Sequence, residues 1–134
     1  MPRHLHVLLA DADSRARETV KAVLHRMVAD VEVEEVSTAE GLDRSLGRAG
    51  SDLVIADTHF PGGTRLGVLR AIGAHQPHIP AILFTAASRE EVVMAAVNAG
   101  VDDYVLKSGN CAHRLESAIR SALYRRGLDR EDGG

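Results

Sequence analysis

The sequence predicts a doubly wound α/β domain, a parallel sheet with helices on both faces. Three observations carry this: five short aliphatic runs alternate with five helix-like segments, most of those runs are apolar throughout, and the connections are short. The chain has 134 residues, one domain's worth of protein. Folding at that length buries roughly two-thirds of the accessible surface, so a core forms without metal or disulfide staples.

The first strand is read at Leu5–Ala10, a run buried on both faces. Asp13 or Ser14 caps a first helix whose stripe is Val20, Val23, Leu24, Met27 and Val28. The second strand, Val31–Val36, alternates apolar and acidic residues, which fits an edge with one wetter face. Ser37 and Glu40 have capping-box spacing and predict a helix over about 38–49, with Gly50 at its stop. The third strand is Leu53–Ala56; the third helix, about 65–74, carries Leu66, Leu69 and Ile72 and ends before Pro77 and Pro80. After a fourth strand at Ala81–Thr85, Ser88 and Glu91 repeat the capping box, predicting a helix over about 89–99 that stops at Gly100. A fifth strand, Tyr104–Leu106, precedes a last helix with Leu115, Ala118, Ile119, Ala122 and Leu123 at helical spacing. Arg114, Arg120, Arg125 and Arg126 favour its carboxyl end, where the macrodipole welcomes cations. Short right-handed crossovers with strand one central give the flavodoxin-like order 2-1-3-4-5. The domain is expected over residues 1–126, with 127–134 a flexible tail or the start of a linker.

Composition removes several classes of function. Hydrophobic residues at 45% and charged residues at 26% exclude a disordered chain. A net charge of −3 draws nothing onto a polyanion, and Phe60, Phe84, Tyr104 and Tyr124, with no tryptophan, offer no stacking platform, so no direct nucleic-acid binding is expected. No apolar run reaches the length of a membrane span, and no membrane association is expected. A single cysteine, Cys111, allows no internal disulfide. A cytoplasmic location is expected.

In doubly wound sheets the working residues gather beyond the carboxyl ends of the strands, at the crevice where strand order reverses. Here those ends carry Asp11, Asp57, Thr85 and Lys107, and the reversal lies between strands one and three, where Asp11 and Asp57 face each other. Two crowded carboxylates need a cation, and a hard divalent ion with oxygen ligands is the natural one. Lys107 supplies a point charge and Thr85 a hydroxyl for phosphate oxygens, with Ala86 and Ala87 leaving room for an incoming group. A carboxylate held by a metal, with a lysine and a hydroxyl aimed at its far side, is a phosphoryl acceptor.

The segments LLADADS, LVIADTHFPGG, ILFTAAS and DDYVLKSG, in this order and spacing, resemble the receiver domain of two-component response regulators over residues 5 to 125. The resemblance implies a non-enzymatic switch in which Asp57 accepts a phosphoryl group from a histidine kinase or phosphotransfer protein. It further implies that Lys107 and Thr85 contact that group, that Thr85 and Tyr104 reposition on phosphorylation, and that an output partner or downstream domain reads the change. Mg2+ is implied at Asp11, Asp57 and the backbone carbonyl of His59. Asp13 reads first as the cap of helix one; strand alternation carried on past Ala10 would instead turn it to the side of Asp11, where it could stand in for a missing acid.

This sequence departs from the family pattern where a second acid would follow strand one, which is Ala12, and weak Mg2+ binding is expected for that reason. Ser108 stands where proline usually follows the lysine, Arg65 where a glycine and Phe60 where a methionine is usual. Two alternatives follow: a pseudo-receiver that keeps the fold as an interaction module without efficient phosphorylation, and a haloacid-dehalogenase-type phosphatase using Asp11 and Asp13. His75 and His78, in a proline-containing loop, read as loop surface.

Overall fold

The computed structural model describes residues 2–48, 50–75 and 79–127. Its elements are β1 (His4–Ala10), α1 (Ser14–Met27), β2 (Asp30–Val36), α2 (Ala39–Leu46), β3 (Leu53–Ala56), α3 (Arg65–Gly73), β4 (Ala81–Thr85), α4 (Glu90–Ala99), β5 (Asp103–Leu106) and α5 (Cys111–Arg125). All strand pairs are parallel and the order is β2-β1-β3-β4-β5, as predicted.

The period-two alternation of the strands divides the core into two layers. Leu5, Val7 and Leu9 of β1, Leu53 and Ile55 of β3, Ile82 and Phe84 of β4 and Val105 of β5 pack against α1 and α5. Leu8, Ala10, Val54, Ala56, Ala81 and Leu83 pack on the other face against α2, α3 and α4. Helix α1 turns Ala16, Val20, Val23 and Leu24 inward, and α5 buries all five residues of its predicted stripe. Strand β2 is one of the sheet's two edges, and its half-buried valines among exposed acidic residues match the wetter face expected for it.

Helix boundaries hold the corrections. Both capping-box helices start one residue later than the motif predicts. Thr38, not Ser37, takes the extended N-cap conformation of α2 and accepts the Gly41 amide at 3.0 Å, which moves Glu40 to the second helical position, out of register for a reciprocal box. Likewise α4 has Arg89 at its N-cap with no side-chain cap, and Glu90 and Glu91 complement the helix dipole instead. Helix α2 ends at Leu46 with Gly47 as C-cap, short of Gly50. Gly100 is the left-handed C-cap of α4, with φ of 80°, and its amide reaches the carbonyls of Ala96 and Val97. Leu66 is not part of the α3 stripe; it is 52% exposed and lines an open cleft with Thr58, His59 and Arg89, while Val68 takes its place beside Leu69 and Ile72. Asp13, one of the two cap candidates for α1, accepts the Arg15 amide at 2.9 Å. Arg125 and Arg126 are tied to Asp102 ahead of β5, with Arg126 Nη2 3.1 Å from Asp102 Oδ1, a specific anchor beyond the macrodipole. Pro77, His78 and the tail beyond Gly127 lie outside the described residues.

The one-residue shift of α2 gives a direct test. Thr38→Ala should lower unfolding stability by about 1 kcal/mol, whereas Ser37→Ala should stay within about 0.5 kcal/mol of wild type, both read from urea denaturation. The reverse ranking would restore Ser37 as the cap.

Candidate functional site

Strand parity decides which polar groups meet. Leu9, Ile55 and Val105 point toward α1 and α5, so Asp11, Asp57 and Lys107, each two residues further on, follow them to the same side. Backbone pairing continues just past the strands and fixes these positions: the Asp11 amide donates to Val36 O at 3.0 Å, Asp57 to Ala10 O at 2.9 Å and Lys107 to Thr85 O at 2.9 Å.

Lys107 Nζ lies 2.9 Å from Asp11 Oδ2 and 2.8 Å from Asp57 Oδ2. The side chains are 2% exposed for Asp11, 9% for Asp57 and 19% for Lys107, so the triad is largely out of water and only weakly screened. The Lys107 ammonium also sits 5.6 Å from the centre of the Phe84 ring, on the same face of the sheet. The amides of Thr58 and His59 donate to Asp57 Oδ1 at 2.6 and 3.3 Å. The other oxygen faces Lys107.

The two carboxylates respond differently to this environment. Burial pushes Asp57 up, but hydrogen bonds from Lys107 and Thr85, the lysine charge and the Thr58 amide outweigh it, and its pKa falls below the ordinary aspartate value. Burial also pushes Asp11 up; the Asp13 amide and Lys107 do not cancel that, Asp57 adds repulsion, and the pKa rises. Burial would lower Lys107, yet its two carboxylate partners prevail and raise it. One cation among two ionised acids leaves an excess negative charge, and Asp11 is the acid whose charge the pocket disfavours.

Thr85 and Tyr104 belong to the opposite parity, facing α3 and α4, and a short relay joins them. Thr85, 1% exposed, accepts the Ala87 amide at 3.2 Å, and the Tyr104 hydroxyl donates to the Ala87 carbonyl. Tyr104 is therefore turned inward and half-buried. Beyond it, Val93, Met94 and Val97 of α4 and Leu106 of β5 are exposed apolar side chains, Val97 the most at 67%.

Of the predicted site residues, Asp11, Asp57, Thr85 and Lys107 converge. His59 is exposed at the rim, with its amide on Asp57. Asp13 does not join the acidic pair: its amide donates to Asp11 Oδ1 at 2.9 Å, while its own carboxylate caps α1 at the exposed surface. Three participants have roles that the sequence did not show. Arg17 donates to the Asp11 carbonyl at 2.6 Å and to Glu35 at 3.0 Å, bracing the end of β1 from α1 and β2. Ala87 works through its backbone, which leaves no side-chain signal to read. The Thr58 hydroxyl is buried without a hydrogen-bond partner among the described residues. No helix of the described residues is long and apolar enough to cross a membrane.

The oxygen donors suit a hard divalent cation: two carboxylates from different strands with an uncompensated charge, and no sulfur or ring nitrogen among the residues of the triad. Ala12, exposed beside Asp11, adds no ligand.

The family profile for the response regulator receiver domain matches residues 7–120. Chemotaxis protein CheY of Pseudomonas aeruginosa is 28% identical over 107 residues, covering 77% of this chain and 84% of the relative. Sensory transduction protein RegX3 of Mycolicibacterium smegmatis is 36% identical over 87 residues, 65% of this chain and 37% of the relative. Regulatory protein LuxO of Vibrio cholerae is 28% identical over 94 residues, 70% of this chain, and the match spans only 20% of LuxO. Among solved structures, a signal receiver domain from Clostridium thermocellum superposes with a TM-score of 0.77 at 26% identity, covering 89% of this chain and 97% of that one. A CheY-like receiver domain protein from Methanospirillum hungatei shares the fold with a TM-score of 0.78 at 22% identity, covering 92% and 97%. With four polar strand ends gathered at the switch point of a 2-1-3-4-5 sheet and the family profile spanning nearly all of it, the chain belongs to the response regulator receiver domain family.

Proposed function

We propose that this domain accepts a phosphoryl group on Asp57 from a histidine kinase or phosphotransfer protein and passes the change to an output partner or downstream domain. The observation that carries the reading is the Lys107 ammonium between Asp11 and Asp57. In the transfer an Asp57 carboxylate oxygen attacks the phosphorus of the donor's phosphohistidine, an O–P bond forms, and the P–N electron pair leaves with the imidazole, which takes a proton from water. Two amides hold Asp57 Oδ1, so the oxygen facing Lys107 is the nucleophile. Lys107 remains beside the acyl phosphate as a fixed positive charge.

Asp11, Asp57 and the His59 carbonyl would hold Mg2+, with water completing its shell; Asp13 is engaged as a helix cap. When bound, Mg2+ neutralises charge on the incoming phosphoryl oxygens. Ala12 removes one anionic ligand, which weakens the ion's hold. The BeF3-activated DrrB receiver domain, an activated form of a structural neighbour with a TM-score of 0.75 and 24% identity, suggests the reagent for trapping the same state here.

The new anion draws the Thr85 hydroxyl from its hydrogen bond with the Asp57 carboxylate onto the phosphoryl oxygens, a contact available only in the phosphorylated state. Thr85 then pulls on Ala87 and, through it, on Tyr104, repositioning the exposed apolar face of α4 and β5. Such a domain is a switch rather than an enzyme, working in the cytoplasm without contact to nucleic acid or membrane.

Intact mass after treatment with acetyl phosphate and magnesium should show one added phosphoryl group, absent in Asp57→Asn. Ala12→Asp should tighten magnesium binding and speed labelling, while Asp13→Ala should change the magnesium affinity little. Label that enters Ala12→Asp but not wild type would identify a pseudo-receiver, and label on Asp11 a phosphatase-like site. Beryllofluoride should shift amide resonances across residues 86–106; resonances that stay fixed there while the pocket titrates would refute the relay.

The uneven carboxylates make a pH prediction for the metal-free protein. Asp11, raised in the folded state, lowers stability as pH climbs through its folded pKa, whereas depressed Asp57 contributes stability above its unfolded value that is lost as pH falls through its folded one. Asp11→Asn should therefore raise Tm by a few degrees at pH 7. The gain should vanish below the ordinary aspartate pKa, where wild-type Asp11 is itself neutral. A variant less stable at pH 7 would show that the charge on Asp11 stabilises the fold.

A further inference from the structure

The opposite end of the sheet carries a second cluster of ligating groups that the phosphoryl chemistry leaves unused. His4 and His6 are two residues apart on β1, so both point to the face that packs α2, α3 and α4. Parallel pairing sets Asp30 beside His4 and Glu32 beside His6 on β2. Helix α2 ends at Leu46, and its last side-chain contact with β2 is Ser45 on Glu34 at 2.8 Å. Nearer the strand starts these four side chains share that face, His4 and His6 half-buried and Asp30 and Glu32 exposed.

The geometry is that of ligands around one ion. One ligand atom each from His4, His6 and Glu32 lie within 4.8 Å of one another. His6 Nε2 is 3.1 Å from Glu32 Oε2. Two ligands of a tetrahedral zinc, each about 2.0–2.1 Å from it, stand roughly 3.3 Å apart, so an ion can enter between them with little movement. The two imidazoles lie side by side, edge to face with 5.0 Å between centroids. His4 Nδ1 is held 2.8 Å from Asp30 Oδ2, the carboxylate–histidine arrangement that orients a metal-binding imidazole and leaves its other nitrogen for the ion.

We propose that His4, His6 and Glu32 form a binding site for a borderline divalent transition metal such as Zn2+, with Asp30 as a positioning residue for His4. Two imidazoles and one carboxylate select such ions over Mg2+, which prefers oxygen donors and keeps its waters. The ion clips the edge strand β2 to the central strand β1, and three protein ligands leave a fourth position for water.

The test is calorimetric titration of the untagged full chain with ZnCl2, in excess magnesium to occupy the acidic pocket, and again with Co2+ as an optical probe. Wild type should bind one Zn2+ at this site with micromolar affinity and give tetrahedral Co2+ bands. His6→Gln and Glu32→Gln should each weaken binding about a hundredfold or more, and Asp30→Asn by about tenfold. Both glutamine changes are on half-exposed or exposed side chains of a preformed sheet, and circular dichroism checks that they fold. Side-chain 15N resonances of His4 and His6 should shift on Zn2+ addition while those of His25 and His113 stay. Absence of millimolar or tighter Zn2+ binding, or binding that survives His6→Gln and Glu32→Gln unchanged, would overturn the site.

Discussion

The Lys107 ammonium lies between two carboxylates that the fold brings together whether or not their charges agree. Asp11 and Asp57 extend β1 and β3, paired by backbone hydrogen bonds, and the alternation of side chains sends both to the α1 and α5 side. Packing of the apolar strands fixes the register, and the register imposes the electrostatic problem. The lysine relieves part of it, bridging the two acids from the far side of β4. What remains is an imbalance in which one acid is held ionised and the other is pushed toward its neutral form. That imbalance separates two acids that the fold otherwise places alike, Asp57 with its charge supported by Lys107, Thr85 and the Thr58 amide, and Asp11 with its charge opposed by burial and by Asp57.

The same alternation sorts the polar groups between the two sides of the sheet. Asp11, Asp57 and Lys107 lie on one side of the sheet, Thr85 and Tyr104 on the other, and the last residue of β4 is where the two sides touch. Thr85 hydrogen-bonds toward Asp57 on one side and accepts the Ala87 amide on the other. The Ala87 peptide makes the link short, with its amide on Thr85 and its carbonyl on Tyr104. It also explains why a small residue suffices at position 87, since only the backbone is used.

Strand positions, sheet order and the four convergent polar groups were legible in the sequence because each follows from hydrophobic continuity and strand ends, which tertiary packing reinforces. Helix starts were less legible. Ser37 and Ser88 both lost the cap by one residue, because the spacing of serine and glutamate does not fix where the chain leaves extended geometry; at α2 Thr38 was an equally good cap next door, and at α4 the acidic first turn did without one. Leu66 looked like core from its spacing to Leu69, but the first turn of α3 overhangs a cleft. Asp13 was legible as a cap for α1, and its carboxylate on the Arg15 amide takes that role over the alternative of a place beside Asp11. The His4, His6, Asp30 and Glu32 cluster was readable in principle as two i, i+2 pairs on strands one and two, once the register set them side by side.

The placement of the two tyrosines has an optical consequence. With no tryptophan in the chain, emission excited at tyrosine wavelengths, beyond the absorption of Phe60 and Phe84, comes from Tyr104 and Tyr124. Tyr124 is 72% exposed on α5 and reports little beyond solvent, whereas Tyr104 is half-buried with its hydroxyl on a backbone carbonyl, an environment that alters phenol emission. The residue at the end of the relay is thus also the domain's built-in fluorophore, and the state of the hydrogen bond to Ala87 is readable in solution without attaching a dye.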